Sequence, residues 1–258
     1  MKKVCIVLSV VAAMLLASGA PVLASSTAKK PSPDEAIAML KAGNQRFLSG
    51  QSANPHIDAK RIAQAAKENQ GDHAYATIIS CSDSRVPVEA IFDAGIMDIF
   101  VIRVAGNVVD TDEAGSIEYG LAHVNTPVMV VLGHTQCGAV TAVTHALHGE
   151  GHALERNIPT LVDNIEPAVK RAGQQYPQVH GDAIIPYAIE ENIWQAIEDL
   201  FRESPATREM VKSGKAKVVG AMYVLETGNV EFLPEEKVQK ILARVESSRN
   251  KAMDAMAH

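Results

Sequence analysis

Short apolar runs alternate with amphipathic segments along most of the chain. The runs are rich in valine and isoleucine and end in polar loops, a pattern typical of buried strands. They predict strands at residues 75–80, 99–104, 128–133, 217–224 and 230–233. Helical patterns lie between these strands, at residues 112–123, at 139–147 and in several segments from 159 to 212.

Strands separated by helices favour an α/β fold, with a mostly parallel central sheet and helices on both faces. The last strand follows the turn sequence Glu226-Thr227-Gly228-Asn229, so we predict an antiparallel strand at the edge of the sheet. Two predicted helices, at 34–49 and 59–68, form an N-terminal helical arm before the first strand. Because this arm has little core of its own to cover, we expect its apolar face to pack on a second subunit.

The N-terminal residues have the order of a secretory signal. Lys2 and Lys3 precede an apolar stretch at 4–16, and Val22-Leu23-Ala24 then supplies a cleavage site. The apolar stretch is shorter than the roughly 20 residues that cross a bilayer. We therefore expect a signal peptide at 1–24, a linker at 25–33 and a single domain at 34–258. The mature protein should be exported to a periplasm, without a stable membrane anchor.

Composition and charge further limit the size of the domain and the kinds of partner that the protein can bind. With 258 residues, 47% of them hydrophobic, the chain has enough apolar material for one large α/β domain. The formal net charge is −6, and no basic block offsets it. Nucleic-acid binding needs a stripe of lysine and arginine, so we expect no nucleic-acid partner.

Reactive side chains follow two of the predicted strands. Cys81, Asp83 and Arg85 come directly after the first strand, and His134 and Cys137 come after the third. Open α/β sheets place their chemistry at the carboxyl ends of strands, so these side chains are expected to share one site. Two thiolates, an imidazole and a carboxylate suit tetrahedral Zn²⁺, whereas Ca²⁺ and Mg²⁺ require oxygen ligands.

The sequence leaves two questions open: whether the two cysteines form a disulfide, and whether Asp83 binds the metal. After signal cleavage Cys81 and Cys137 are the remaining cysteines, and two cysteines in an oxidising compartment can form a disulfide. A structural disulfide has no use for Asp83 and His134 beside it, so we expect one zinc per chain instead. Asp83 either takes the fourth zinc position or pairs with Arg85 and leaves that position to water.

Three blocks of the sequence resemble the signatures of the β-class carbonic anhydrases, in family order and spacing. They are Cys81-Ser82-Asp83-Ser84-Arg85-Val86-Pro87, Val101-Ile102-Arg103-Val104-Ala105-Gly106-Asn107 and Gly133-His134-Thr135-Gln136-Cys137-Gly138-Ala139-Val140. The resemblance covers roughly residues 33–233. It implies zinc on Cys81, His134 and Cys137, and a catalytic dyad of Asp83 and Arg85. It also implies reversible hydration of CO₂ to bicarbonate by zinc-bound hydroxide, in a homodimer or a dimer of dimers.

Other functions remain alternatives. Asp83 could close a four-ligand zinc site permanently, which would make the protein a non-catalytic, zinc-stabilised binding module. A Cys81–Cys137 disulfide would indicate a redox protein, and the same scaffold could hydrolyse carbonyl sulfide or carbon disulfide. Some members of the family have a regulatory bicarbonate site that uses a tryptophan three residues before the first cysteine ligand. This chain has Ile78 there, so we do not expect that regulation.

Overall fold

The structure is a computed structural model that describes residues 30–150 and 155–252. These residues include five strands and nine α-helices. The strands are β1 Ala76–Ser80, β2 Ile99–Arg103, β3 Val128–His134, β4 Lys217–Tyr223 and β5 Val230–Phe232. The helices are α1 Pro33–Leu48, α2 Ala59–Ala65, α3 Val88–Ile91, α4 Thr111–Glu118, α5 Gly138–Leu147, α6 Ile158–Gln175, α7 Ile185–Glu203, α8 Pro205–Lys212 and α9 Glu235–Ser247. The predicted signal peptide lies outside the described residues. None of the helices described is both long and apolar enough to cross a membrane.

The strands form one sheet in the order β2-β1-β3-β4-β5. The first four strands are parallel to their neighbours, and β5 is antiparallel to β4 at the edge. Helices α1 and α3 cover one face, and α4, α7 and α9 cover the other, each with its own apolar core. The predicted α/β fold, with its mostly parallel sheet and antiparallel edge strand, is confirmed.

The strand register brings two loops together. Ser80, the last residue of β1, pairs with Arg103 of β2 and with Leu132 of β3. Cys81 therefore leaves the sheet beside the end of β3, where His134 is the last strand residue. The carboxyl ends of β1 and β3 thus define the edge at which the predicted site lies.

The N-terminal helix α1 packs on its own chain. Ser32 and Glu35 form a capping box at its start, with Pro33 in the first turn. Ala36 and Leu40 are fully buried in the core between α1, α3 and the sheet. The premise that this helix has little core of its own to cover is wrong, because α1 covers a sheet face formed by strands that come later in the sequence. Packing of the arm on a second subunit stays a prediction.

Two adjacent residues show how closely α1 packs against the rest of the chain. A Cβ atom at Gly43 would lie 1.9 Å from the carbonyl oxygen of Phe92, so only glycine permits this approach. The buried Asn44 side chain donates to the Gly228 carbonyl at 3.0 Å and accepts from the Val230 amide at 3.0 Å. Helix α1 is thereby hydrogen-bonded to the start of the last strand.

Helix α9 is absent from the elements predicted from sequence. Its buried residues Val238, Ile241, Leu242 and Val245 recur at helical spacing and pack against α7 and the sheet. The signal was therefore present in the sequence after residue 233. Helix α9 completes the cover of the sheet face that α7 begins.

Candidate metal centre

Cys81, His134 and Cys137 converge at the carboxyl ends of β1 and β3. Cys81 directly follows β1, His134 ends β3, and Cys137 caps the start of α5. Their exposed fractions are 5%, 0% and 1%. One ligand atom from each residue lies within 4.8 Å of the others. Among the described residues, these three form the one group with the spacing of a metal site.

The two ring nitrogens of His134 have different environments. Nδ1 lies 2.9 Å from the carbonyl oxygen of Thr135, which can only accept, so Nδ1 carries the proton. Nε2 is buried and has no hydrogen-bond partner. A buried ring nitrogen without a partner, on a histidine that clusters with two cysteines, is the arrangement expected of a metal ligand whose other nitrogen is fixed by the backbone.

The two cysteines are free rather than joined in a disulfide. The pKa of Cys81 is lowered, first by its interaction with the Cys137 thiol and also by the hydrogen bond from the Gly106 amide, although burial opposes this shift. The pKa of Cys137 is raised by its interaction with Cys81 and by burial. Loss of one proton from the pair therefore hinders loss of the second, and a cation bound between the sulfurs would remove that hindrance.

Asp83 pairs with Arg85 in a two-pronged ion pair. Arg85 Nε donates to one carboxylate oxygen at 2.9 Å, and Nη2 donates to the other at 2.7 Å. These hydrogen bonds hold the pKa of the Asp83 carboxyl well below its usual range. The nearer Asp83 oxygen lies 3.9 Å from His134 Nε2. Of the two arrangements left open by the sequence, the structure has the one in which Asp83 is paired with Arg85.

Neighbouring groups fix the loop that carries this pair. Arg103, at the end of β2, donates to the Cys81 carbonyl at 3.2 Å and to the Asp83 carbonyl at 2.7 Å. Arg85 Nη2 also donates to the Gln136 carbonyl at 3.1 Å, which links the loop to the His134–Cys137 segment. Ile78, at the position of the regulatory tryptophan, is fully buried in the core.

Three contributors are not among the site residues predicted from the sequence. The Gly106 amide donates to Cys81 Sγ at 3.3 Å, and Asn192 of α7 donates to the Gly106 carbonyl at 2.7 Å. Glu226 accepts hydrogen bonds from the side chains of Thr135 and Gln136. The Gly106-Asn107 dipeptide is a turn signal that marks the first contact. No local sequence pattern indicates Asn192 or Glu226. Asn192 is 86 residues from its partner in the sequence, and Glu226 is 90 and 91 residues from its two partners.

A mostly parallel sheet with a Cys–His–Cys cluster at the ends of two neighbouring strands, beside an Asp–Arg pair, is the arrangement of the β-class carbonic anhydrases. The family model described as carbonic anhydrase matches residues 76–230. The chain belongs to this family and is an enzyme of it.

Curated relatives match most of the chain. Carbonic anhydrase 2 of Mycobacterium tuberculosis is 34% identical over 196 residues, which cover 76% of this chain and 90% of the relative. The carbonic anhydrase of Mycolicibacterium smegmatis is 34% identical over 200 residues, covering 78% of this chain and 93% of the relative. The similarity therefore extends across nearly the whole length of these enzymes.

Solved structures show the same fold. The β-carbonic anhydrase CcaA is 26% identical, with a TM-score of 0.60 over 77% of this chain and 95% of that one. CafA of Aspergillus fumigatus is 22% identical, with a TM-score of 0.60 over 83% of this chain and 100% of that one. A β-carbonic anhydrase of Sordaria macrospora, described as tetrameric, has a TM-score of 0.57 at 21% identity, over 78% of this chain and 97% of that one.

Proposed function

We propose that this chain is a zinc-dependent carbonic anhydrase that reversibly hydrates carbon dioxide to bicarbonate and a proton. The observation that carries the proposal is the buried Nε2 of His134, which lacks a hydrogen-bond partner and lies close to two free thiols. A buried polar atom without a partner costs free energy, and a bound metal ion would remove that cost. Family membership supports the choice of reaction.

Cys81, His134 and Cys137 are the residues that would hold the ion. Sulfur and imidazole donors favour zinc over the oxygen-preferring cations, and three protein ligands are typical of catalytic rather than structural zinc. When bound, zinc supplies Lewis acidity that lowers the pKa of a water molecule toward the neutral range. Every other step depends on groups that the chain itself provides.

Asp83 is the group that would orient the reacting water. Because its pKa is held low, the carboxylate is ionised at neutral pH and can only accept hydrogen bonds. Oδ1 accepts two hydrogen bonds from Arg85, whereas Oδ2 accepts one and keeps a free lone pair. A water molecule that donates to Asp83 has its own lone pair turned toward an incoming CO₂ molecule. Arg85 is the positioning residue that keeps this carboxylate directed away from the metal ligands.

The rival reading is a closed, structural zinc site in which Asp83 is the fourth ligand. The Asp83 carboxylate is already engaged by Arg85, and the nearer oxygen is 3.9 Å from His134 Nε2. Closing the site would move the carboxylate from the position in which these hydrogen bonds hold it. The ion pair therefore supports the open, catalytic reading over the binding module.

Stopped-flow CO₂ hydration by the zinc-loaded protein, combined with metal analysis, tests the proposal. We expect about one zinc per chain and rapid hydration, and Cys137→Ser should lose both metal and activity. Ser84→Ala, an exposed change in the same loop, is the control and should keep both. A Cys137→Ser variant with full zinc and full rate would show that the ligand assignment is wrong. Faster turnover of carbonyl sulfide or carbon disulfide than of CO₂ would assign the other substrate class.

We further propose that the enzyme is a homodimer or a dimer of dimers. Ile57 and Ile62 each expose more than half of their side chains, and β2 is an unpaired sheet edge. Exposed apolar side chains and open edges favour association, and the Sordaria macrospora relative is described as tetrameric. Light scattering should give at least twice the chain mass at micromolar concentration, and a monomer there would contradict the proposal.

Export to a periplasm is also a proposal, and it rests on the basic, apolar and small-residue order of residues 2–24. The protein recovered from a periplasmic extract should begin at Ser25. An intact N-terminus on protein found only in the cytoplasmic fraction would contradict both export and cleavage.

A further inference from the structure

The turn Ala105–Asn107 brings a backbone N–H group to one of the candidate metal ligands. The Gly106 amide donates to Cys81 Sγ at 3.3 Å in a buried environment. Gly106 and Asn107 both have positive φ angles, 74° and 46°. Two successive left-handed residues are unfavourable for an L-amino acid at the second position, so neighbouring groups must hold this turn in place.

A side chain from α7 supplies that hold. Asn192 is 2% exposed, and its Nδ2 donates to the Gly106 carbonyl oxygen at 2.7 Å. On the other side, a Cβ atom at Gly106 would lie 2.7 Å from Ile165 Cδ1 of α6. Gly106 is therefore enclosed between α6 and α7, with one bond to its carbonyl and one from its amide.

We propose that Asn192 is a positioning residue that keeps the Gly106 amide on Cys81 Sγ and thereby sets how strongly this sulfur donates to a bound metal. A hydrogen bond to a thiolate draws charge away from the sulfur and weakens its donation to the ion. Asn192 acts through the backbone. It holds the carbonyl group of Gly106, in the peptide bond that follows this residue, whereas the N–H group that contacts Cys81 belongs to the peptide bond before it. The inference rests on the proposed metal site, but it does not depend on the reaction catalysed there.

The test uses the full protein loaded with Cd²⁺, whose thiolate-to-metal charge-transfer band reports the electron density on sulfur. In Asn192→Leu, which has similar size but no donor, the band should move to lower energy. Exchange of the Gly106 amide proton should also become faster, because its hydrogen-bonded position is no longer held. The matched control is Gln195→Leu, because Gln195 is also a buried amide on α7 but bonds to Arg171 and Asp199 instead.

A purely structural role for Asn192 would lower thermal stability while leaving the band where it is, and that result would overturn the inference. An equal shift in Gln195→Leu would also overturn it, because the effect would then follow from loosening α7. If Asn192→Leu does not fold, Asn192→Asp keeps the shape while replacing the donor by an acceptor, and it should shift the band in the same direction.

A wild-type chain that binds no Cd²⁺ would overturn the metal site itself, whereas normal binding without CO₂ hydration would overturn only the reaction.

Discussion

Asp83 and Arg85 are only two residues apart, yet they contribute differently at the site. Arg85 holds both carboxylate oxygens of Asp83 and also donates to the Gln136 carbonyl, so one guanidinium connects both ligand loops. Arginine presents these donors in a planar fork that lysine cannot reproduce. The pair is partly exposed, so its value lies in orientation more than in stability.

Replacing Arg85 by alanine should therefore reduce activity while leaving the metal in place. Without the fork, the Asp83 carboxylate keeps only its bond from the backbone amide of residue 85 and can turn away from the water or toward the metal ligands. We expect a loss of about a hundredfold in kcat/KM for CO₂ hydration, with zinc content unchanged.

Arg156→Ala provides the control, because Arg156 is an exposed arginine outside the segments that carry Cys81, Asp83, His134 and Cys137. It should keep the wild-type rate. An Arg85→Ala enzyme that retains wild-type kcat/KM would show that Asp83 needs no partner to act.

At the level of the helix, the contact between α1 and Phe92 should be intolerant of any side chain. In Gly43→Ala, the new methyl group would lie 1.9 Å from the Phe92 carbonyl, so α1 must move away from the core. We expect a loss of about 2–3 kcal/mol in the free energy of unfolding, measured by urea denaturation.

Gly173→Ala in α6 is the matched change, because apart from the adjoining residues and backbone of its own helix nothing lies within 4 Å of a Cβ there. Alanine has the higher helix propensity, so this variant should gain about 0.5–1 kcal/mol. Equal effects of the two substitutions would mean that helix propensity, rather than the close contact, decides the outcome at Gly43.

Helix α7 contains a carboxyl group that should make stability depend on pH. Burial, and then the nearby charge of Glu198, raise the pKa of Asp199 to about 7, although Gln195 donates a hydrogen bond to it. In the unfolded chain the same carboxyl group has its ordinary pKa of 3.8. The folded state therefore binds the proton more tightly, and its stability should fall as pH rises from about 4 to about 7.

Asp199→Asn removes this dependence with little change in shape. The variant should be more stable than the wild type by about 2 kcal/mol above pH 7, and the difference should vanish near pH 4. Urea denaturation at both pH values measures this. A constant difference at every pH would mean that packing of the amide, rather than ionisation of Asp199, is responsible.

The elements show where sequence reasoning succeeds and where it stops. The strands and the placement of Cys81 and His134 follow from local apolar runs and from the rule that chemistry lies at strand ends. The partner of α1 could not be read locally, because the sheet face that it covers is formed by strands far along the chain. The role of Asn192 depends on a contact across 86 residues, which no local pattern reports.

At the scale of the whole molecule, removing the N-terminal helices should unfold the protein rather than produce monomers. A chain that starts after residue 50 would expose the apolar sheet face that Ala36 and Leu40 cover. We expect it to be insoluble, or to lack the cooperative thermal transition seen by circular dichroism in a chain that starts at Lys30. A soluble, folded and monomeric product would restore the view that α1 serves only the subunit interface.

The hydrogen bonds of Asn44 have a consequence for how the protein is made. This side chain in the first helix is bonded to Gly228 and Val230, which lie 184 and 186 residues further along the chain. A ribosome that has released the first helix must still synthesise most of the protein before these partners exist. The two hydrogen bonds that fix α1 to the last strand therefore cannot form until the C-terminal hairpin has emerged, whereas the α3 and β3 residues that pack against its apolar face are made earlier. Contacts of such long range slow folding, because the loop must close before they stabilise anything.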